Sequence, residues 1–413
     1  MNNDRKVNVG IVGLGFGKEF IHIYQQYSKV GKVAICSRNR KKLDEIGDKF
    51  NIDPDLRFTD YNELLKRDDI DAIHIVTPIM EHAKQSIAAL EAGKHTACTV
   101  PMATTVGELE EIVKAKNKAK KVYMMMETAI YTREYLYVKE LVASGKLGRI
   151  QFVRGSHMQN MGLVGWPDYW LGFPPMHYGT HAIAPLLCIT GAMPESVVCH
   201  GSGSISDDLA GRYGSPFAVE TATFKLAGSN VVAEATRSLF ETVRQYRESF
   251  DIYGDKTSFE WDQIENEGSV LFEGGESAQR FHVPDTDNLL PEEIAAFTKK
   301  EQIDDQNHVS FIQGAGHGGS HPHLVREFID AIVEGRDSAV DAVTSAYYTG
   351  AGICAHESAI QGAVRLRSRN LRSFNPGNPC IRDVDCIAEI ERKNHENRCK
   401  YLGLGFPVQY AAV

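Results

Sequence analysis

The first apolar run, Val7-Asn8-Val9-Gly10-Ile11-Val12, is short and dense and ends in glycines, which predicts a buried parallel strand followed by a tight turn. Helical periodicity follows in KEFIHIYQQYSKV, then a second strand in KVAICSRN, then a charged amphipathic helix in RKKLDEIGDKF. FTDYNELLKRDDIDAIHIVTP and HAKQSIAALEAGKHTACTVP repeat the helix-then-strand unit, and VGELEEIVKAKNKAKKVYMMMETAI adds one more. This alternation predicts a doubly wound parallel sheet of the Rossmann kind. Near residue 150 the pattern changes to strand-rich segments: GRIQFVRGSHMQ, SVVCHGSG, VETATFKLAGSNVVAEATRSL and RESFDIYGDKTSFEWD. Hairpin turns are expected at Gly228-Ser229 and Gly254-Asp255, so this part reads as an α+β domain with an open antiparallel sheet. Residues 273–318 read as a long loop, and HPHLVREFIDAIVEG and VTSAYYTGAGICAHESAIQGAV read as helices. The expected domains are therefore 1–148 (dinucleotide-binding), 149–365 (substrate-binding) and a C-terminal extension, 366–413.

A net charge of −9 argues against a uniformly basic nucleic-acid surface. No run is apolar and long enough for a bilayer, and no signal segment precedes the first strand, so a cytoplasmic chain with no membrane partner is expected. The eight cysteines form no Cys-x-x-Cys pair and read as free thiols in a reducing compartment.

Gly13, Gly15 and Gly17, with Phe16 among them, lie directly after the first strand. Such a turn lets backbone N–H groups and a helix N-terminus approach a pyrophosphate, so a bound NAD or NADP is expected. The third glycine of the usual spacing would fall at Lys18, with Gly17 one place early. The second strand ends in Cys36-Ser37-Arg38-Asn39-Arg40, without the carboxylate expected for NAD, and Ser37 with Arg38 leans towards the 2′-phosphate of NADP.

IHIVTPIMEHAKQSIAALEAGKHTACTVP resembles the glucose–fructose oxidoreductase / inositol dehydrogenase / MocA family. The matching positions are Thr77-Pro78, His82, Ala92-Gly93-Lys94-His95 and Pro101, and VASGKLGRIQFVRG is similar to that family's crossing between domains. The resemblance implies hydride exchange between a nicotinamide and a sugar or polyol hydroxyl, with Thr77, Pro78, His82, Thr99, Val100 and Pro101 on the cofactor side. Two departures stand out. The family's lysine position is Val100, and the aspartate of its Asp-x-x-x-His pair is His177, while His181 keeps the histidine. TVPMATT and WLGFPPMHYGTH are further similar to a branch that oxidises glycosides at a ring hydroxyl, including enzymes that start C-glycoside breakdown.

Alcohol oxidation needs a base, and histidine has a suitable pKa without tuning. His181 is the expected base, with His177 orienting the hydroxyl from the same face if residues 177–190 are helical. His177 and His181 with His321 or His323 would also make a three-histidine metal site, but the family chemistry needs none and none is expected. Glu127 is a second acid/base candidate, and Tyr131 and Arg133 candidates for the pocket mouth. Trp166 and Trp170 could stack on a sugar face, and His157, His321 and His323 complete the substrate-side set. The expected function is NAD(P)-dependent oxidation of a secondary ring hydroxyl of a sugar or glycoside, with C3 of a glucoside as the expected position, in a homo-oligomer. The alternatives are a redox-neutral glycosidase with a retained cofactor and a non-enzymatic dinucleotide- and sugar-binding regulator.

Overall fold

The structure is a computed structural model that describes residues 6–367 apart from 164–165, 243, 245, 265, 275–276 and 300–316. Six strands, β1 (Val7–Val12), β2 (Val30–Cys36), β3 (Arg57–Phe58), β4 (Ala72–Ile75), β5 (His95–Thr99) and β6 (Tyr123–Met126), form one sheet in the order β3-β2-β1-β4-β5-β6. Every pairing in it is parallel. β4 and β6 are buried at every residue, as strands covered by helices on both faces must be. The order reverses between β1 and β4, so the crevice beyond their carboxyl ends is the natural ligand site.

The second sheet has nine strands: β7 (Ile150–Gln159), β8 (Pro194–Ser202), β9 (Val219–Leu226), β10 (Val232–Ser238), β11 (Tyr246–Gly254), β12 (Thr257–Glu260), β13 (Ser269–Glu273), β14 (Ser277–Phe281) and β15 (Leu366–Arg367). Their order is β14-β13-β12-β11-β7-β10-β9-β8-β15. Here burial alternates, as in β9, because one face packs on helices. The sheet is mixed rather than wholly antiparallel. β7 and β10 run parallel, which a long crossover containing the helix Thr180–Thr190 makes possible. The hairpin at Gly228 is present, with Gly228 at φ +65°, and β11 turns into β12 just after Gly254. The expected loop 273–318 instead begins with the β13–β14 hairpin, whose short strands lack a clean apolar alternation. Its residues 300–316, like nearly all of the expected extension 366–413, lie outside the described residues.

Two late helices return to the first sheet. Ser320–Glu334 buries Leu324, Val325, Phe328 and Ile329 in one core with Val9 and Ile11 of β1, and its Asp330 accepts a hydrogen bond from Tyr27 at 2.5 Å. Ala342–Ile360 lies between β8 and the helix Val106–Ala119. That last helix starts with a capping box: Thr105 accepts from the backbone N–H of Glu108, and Glu108 accepts from that of Thr105. So the stretch after Pro101 is set as a helix entry. Among the described residues no helix is long and apolar enough to cross a membrane.

Candidate active site

The glycine turn after β1 has the shape a pyrophosphate requires. Gly13 sits at φ +93°, and a Cβ there would overlap the carbonyl of Val76. A Cβ on Gly15 would meet no atom within 4 Å, so that position opens outward. Gly17, one residue early in the sequence pattern, does the work of the third glycine: a Cβ there would overlap the Gly13 carbonyl and press on Ile11, so its absence lets the helix Lys18–Gln26 pack on β1. These residues fit a dinucleotide. Arg38 is exposed past the end of β2, and Ser37 accepts from the backbone N–H of Asn39 at 3.4 Å. Two further turns stand beside this one, Thr77-Pro78 after β4 and Thr99-Val100-Pro101 after β5. His82 ties them together, with Nδ1 2.7 Å from the Pro101 carbonyl and Nε2 2.9 Å from that of Thr77. Burial works to lower its pKa, but Cys98 and the two carbonyls outweigh it and carry the ring up to about 9. His82 is thus a buried strut between two loops. Thr77 itself donates to Gln85 at 2.7 Å.

Below the glycine turn lies a cluster of buried histidines and carboxylates. Phe16 leads into it, with edge contacts to His317 and His321 at 5.6 and 5.4 Å. His317 in turn lies 6.1 Å from His181, ring to ring, and 3.1 Å (Nδ1 to Nε2) from His321. His317, Gly318 and Gly319 all have positive φ, and this tight turn folds the His317 ring back over the start of the helix Ser320–Glu334. His181 lies in the first turn of the helix Thr180–Thr190. Its Nδ1 is 2.5 Å from Oε1 of Glu127 and 3.9 Å from Oε1 of Glu248, and its Nε2 is 3.3 Å from the Tyr178 hydroxyl. Glu127, at the end of β6, has no exposed surface and also accepts from the N–H of Ala129. Burial lowers the His181 pKa, but Glu127 and Glu248 more than offset it, so the net direction is up.

His157 stands beside this pair on β7, directly opposite Glu248 on β11 and Arg237 on β10. Its ring is 5.2 Å from that of His181, and burial, helped by Arg237, holds it neutral. Neither of its ring nitrogens has a hydrogen-bond partner. Arg237 is fully buried, lies 4.9 Å above the Tyr178 ring, and donates to the carbonyls of Tyr178, His157 and Ser238 and to Gln159. Tyr246 donates to Glu248 at 2.6 Å. Trp170 meets Tyr178 edge-on at 4.7 Å, with Trp166 behind it at 6.3 Å, and their aromatic cluster reaches Ile79 beside the Thr77-Pro78 turn.

Several expected members are elsewhere. His177 and His181 do not share a helix face: His177 lies in the 3₁₀ turn Pro175–Tyr178, and the α-helix begins only at Thr180. His177 packs edge-on against His356 at 4.8 Å, where burial pushes its pKa down to about 3. His321 and His323 also separate, since residues two apart on a helix point to opposite sides. His323 pairs with Thr286 at 2.8 Å and stacks on Tyr131. Arg133 donates to the carbonyls of Gly318 and Thr298 and so braces the chain behind the cluster. The three-histidine grouping of His177, His181 and His321 or His323 is therefore not formed. Glu248, Tyr178, Tyr246 and Arg237 were not foreseen. For Arg237 the signal was a polar residue on the buried phase of a strand, beside Ala233 and Ala235 in β10.

Comparison with known proteins agrees with the two-sheet fold. A "Glycosyl hydrolase family 109 protein" of Shewanella baltica (strain OS195) is 33% identical over 199 residues, 44% of this chain and 43% of that protein. The 4-carboxy-2-hydroxymuconate-6-semialdehyde dehydrogenase of a Sphingobium species is 27% identical over 181 residues, 43% of this chain and 57% of that one. The chain thus spans about half the length of the curated relatives it matches. Among solved structures, levoglucosan dehydrogenase in complex with NADH superposes with a TM-score of 0.73 at 20% identity, covering 88% of this chain and 99% of that one. Myo-inositol 2-dehydrogenase from Lactobacillus plantarum does so at 0.68 and 17%, with the same coverage. These likenesses carry the fold. Residues 7–127 match the oxidoreductase family with the NAD-binding Rossmann fold, and residues 135–260 match the C-terminal domain of the same family, so the chain belongs to the GFO/IDH/MocA family.

Proposed function

We propose that the protein is an NAD(P)-dependent oxidoreductase that oxidises a secondary ring hydroxyl of a sugar or glycoside, and that the Glu127–His181 pair takes up the hydroxyl proton. The observation that carries this reading is the 2.5 Å contact from His181 Nδ1 to Glu127, under the glycine turn. Glu127 accepts the Nδ1 proton and so fixes the tautomer, which leaves Nε2 as the basic atom on the Tyr178 side. Once His181 has gained a proton, Glu127 and Glu248 stabilise the imidazolium. Arg237 holds Tyr178 and the β7 backbone in place, and Trp170 and Tyr178 offer apolar faces to the C–H face of a sugar. A bound nicotinamide supplies the hydride acceptor. The exposed Arg38, with no carboxylate at the end of β2, supports use of NADP as well as NAD.

For the position of oxidation we propose C3 of a glucoside. A substrate deuterated at C3 should pass its label to the nicotinamide, and label transfer from another carbon would refute that position. The likeness to a glycosyl hydrolase supports a second reading, a redox-neutral glycosidase. Following nicotinamide absorbance and product mass together separates them. Net reduced cofactor with an oxidised glycoside means a dehydrogenase, and free sugar with no net cofactor change means a glycosidase.

A further inference from the structure

His157, His181 and Glu248 each offer one ligand atom, and the three atoms lie within 4.8 Å of one another. The His157 Nε2 and His181 Nδ1 approaches to Glu248 Oε1 are 4.0 and 3.9 Å. Ligands about 2.1 Å from one tetrahedral ion stand about 3.4 Å apart, so closing this set needs only small side-chain shifts. A second observation points to a ligand. His157 is 1% exposed, yet both its ring nitrogens lack a partner, and the neighbouring Glu127 Oε2 is buried without one. A buried polar ring normally finds a partner. Arg237 does not fill the gap, because its nitrogens are committed to carbonyls and to Gln159. The strand register makes the arrangement specific, since it sets His157 opposite Glu248 across the β7–β11 pairing.

We infer that His157, His181 and Glu248 bind one divalent transition-metal ion. Two imidazoles in three ligands favour Zn²⁺ or its first-row neighbours over Mg²⁺ or Ca²⁺. Binding of the ion stands independently of the proposed function, whereas its chemical role rests on that reading. With the ion bound, His181 Nδ1 would be a ligand instead of a donor to Glu127, so Glu127 rather than Nε2 would take the hydroxyl proton, and the ion would offer Lewis acidity at the hydroxyl. The ion would then supply the positive charge that Val100 cannot.

The test uses the full chain stripped with chelator and then titrated with Co²⁺, read by visible absorption, with Zn²⁺ content measured after dialysis. The expected result is one equivalent of Zn²⁺ and a cobalt spectrum of low coordination number that Zn²⁺, but not Mg²⁺, displaces. Glu248→Gln and His157→Ala should each weaken Co²⁺ binding at least tenfold. NADH binding, measured in the same samples, reports that these variants remain folded. Absence of a cobalt spectrum in protein that binds NADH would overturn the inference, as would unchanged Co²⁺ affinity in both variants. Stoichiometric metal in a protein that turns over no glycoside would instead leave the ion standing and remove the proposed function.

Discussion

Two buried histidine–carboxylate pairs, His181–Glu127 and His356–Glu220, differ instructively. His181 meets Glu127 at 2.5 Å, and His356 meets Glu220 at 2.7 Å. Both carboxylates are fully buried. The second pair is enclosed: Glu220 also accepts from the N–H of Met176, and His177 caps the ring of His356. It pins the helix Ala342–Ile360 to β9. The first pair borders unsatisfied atoms on His157 and Glu127 and touches, through His317 and Phe16, the turn that fits a dinucleotide. Short distance and burial are common to both. The second pair also borders an unpartnered atom, Nε2 of His177, so it is the nearby phosphate-shaped turn that marks the first for chemistry.

The sharpest way to break this comparison is to remove each histidine. His181→Ala should lower turnover about 10²–10⁴-fold, the usual cost of losing a general acid/base, while NADH affinity stays within a few-fold. Adding Val100→Lys to the wild-type chain should not raise turnover, because Val100 is buried and a new ammonium there must be desolvated. Near-normal turnover in His181→Ala would shift the chemistry away from the first pair. Gly15→Val should weaken dinucleotide binding by roughly a hundredfold or more, since a branched side chain would occupy the open side of that turn, where the pyrophosphate approaches. Calorimetry on the folded variant reads this directly.

The enclosed pair should respond in stability instead. Glu220→Ala strands a buried histidine and an amide, so unfolding should become easier by about 3 kcal/mol. Any enzyme that remains folded should keep turnover within a few-fold. A loss of turnover on the scale of His181→Ala would erase the distinction between the pairs.

A third carboxyl, half-buried and with no imidazole, gives the smallest effect. Glu134 encloses an unpartnered Oε2, and burial raises its pKa from 4.5 to about 7. The folded protein then holds this proton more tightly than the unfolded chain. Its contribution is therefore full below pH 4.5 and is lost as the pH rises through 7, a slope worth roughly 1–3 kcal/mol for a half-buried residue. Glu134→Gln should flatten stability between pH 4.5 and 7, as read from urea midpoints. An unchanged slope would assign it to other groups.

Much of the architecture was legible because its signals are local. The βα alternation announced the parallel sheet, and the glycines after β1 and the turn at Gly228 were read where they stand. The site was only half legible. Helical spacing suggested that His177 and His181 act together, but Pro174 and Pro175 favour a tight turn, and Gly179 separates that turn from the helix. The partners of His181 come from four separated segments, and no local period encodes that β7 pairs with β10 and β11. Even so, Val153, Gly155, His157 and Gln159 occupy the buried phase of β7, so the misplaced polarity was visible before its partners were. Val100 was read as an absence, and the structure adds a buried pair that the sequence did not join, Glu127 facing His181 from the end of β6.

The position of β7 has one more consequence. It is the fifth of nine strands, bonded on both sides along the stretch that carries His157. Amide hydrogens there are reached by solvent only when the middle of the sheet opens, not when its edges fray. In deuterium exchange, residues 153–158 should label among the last in the molecule, well after β14 and β15 at the two margins. His157 is thus mounted in the middle of its sheet, while the aromatic wall and the glycine turn sit on loops around it.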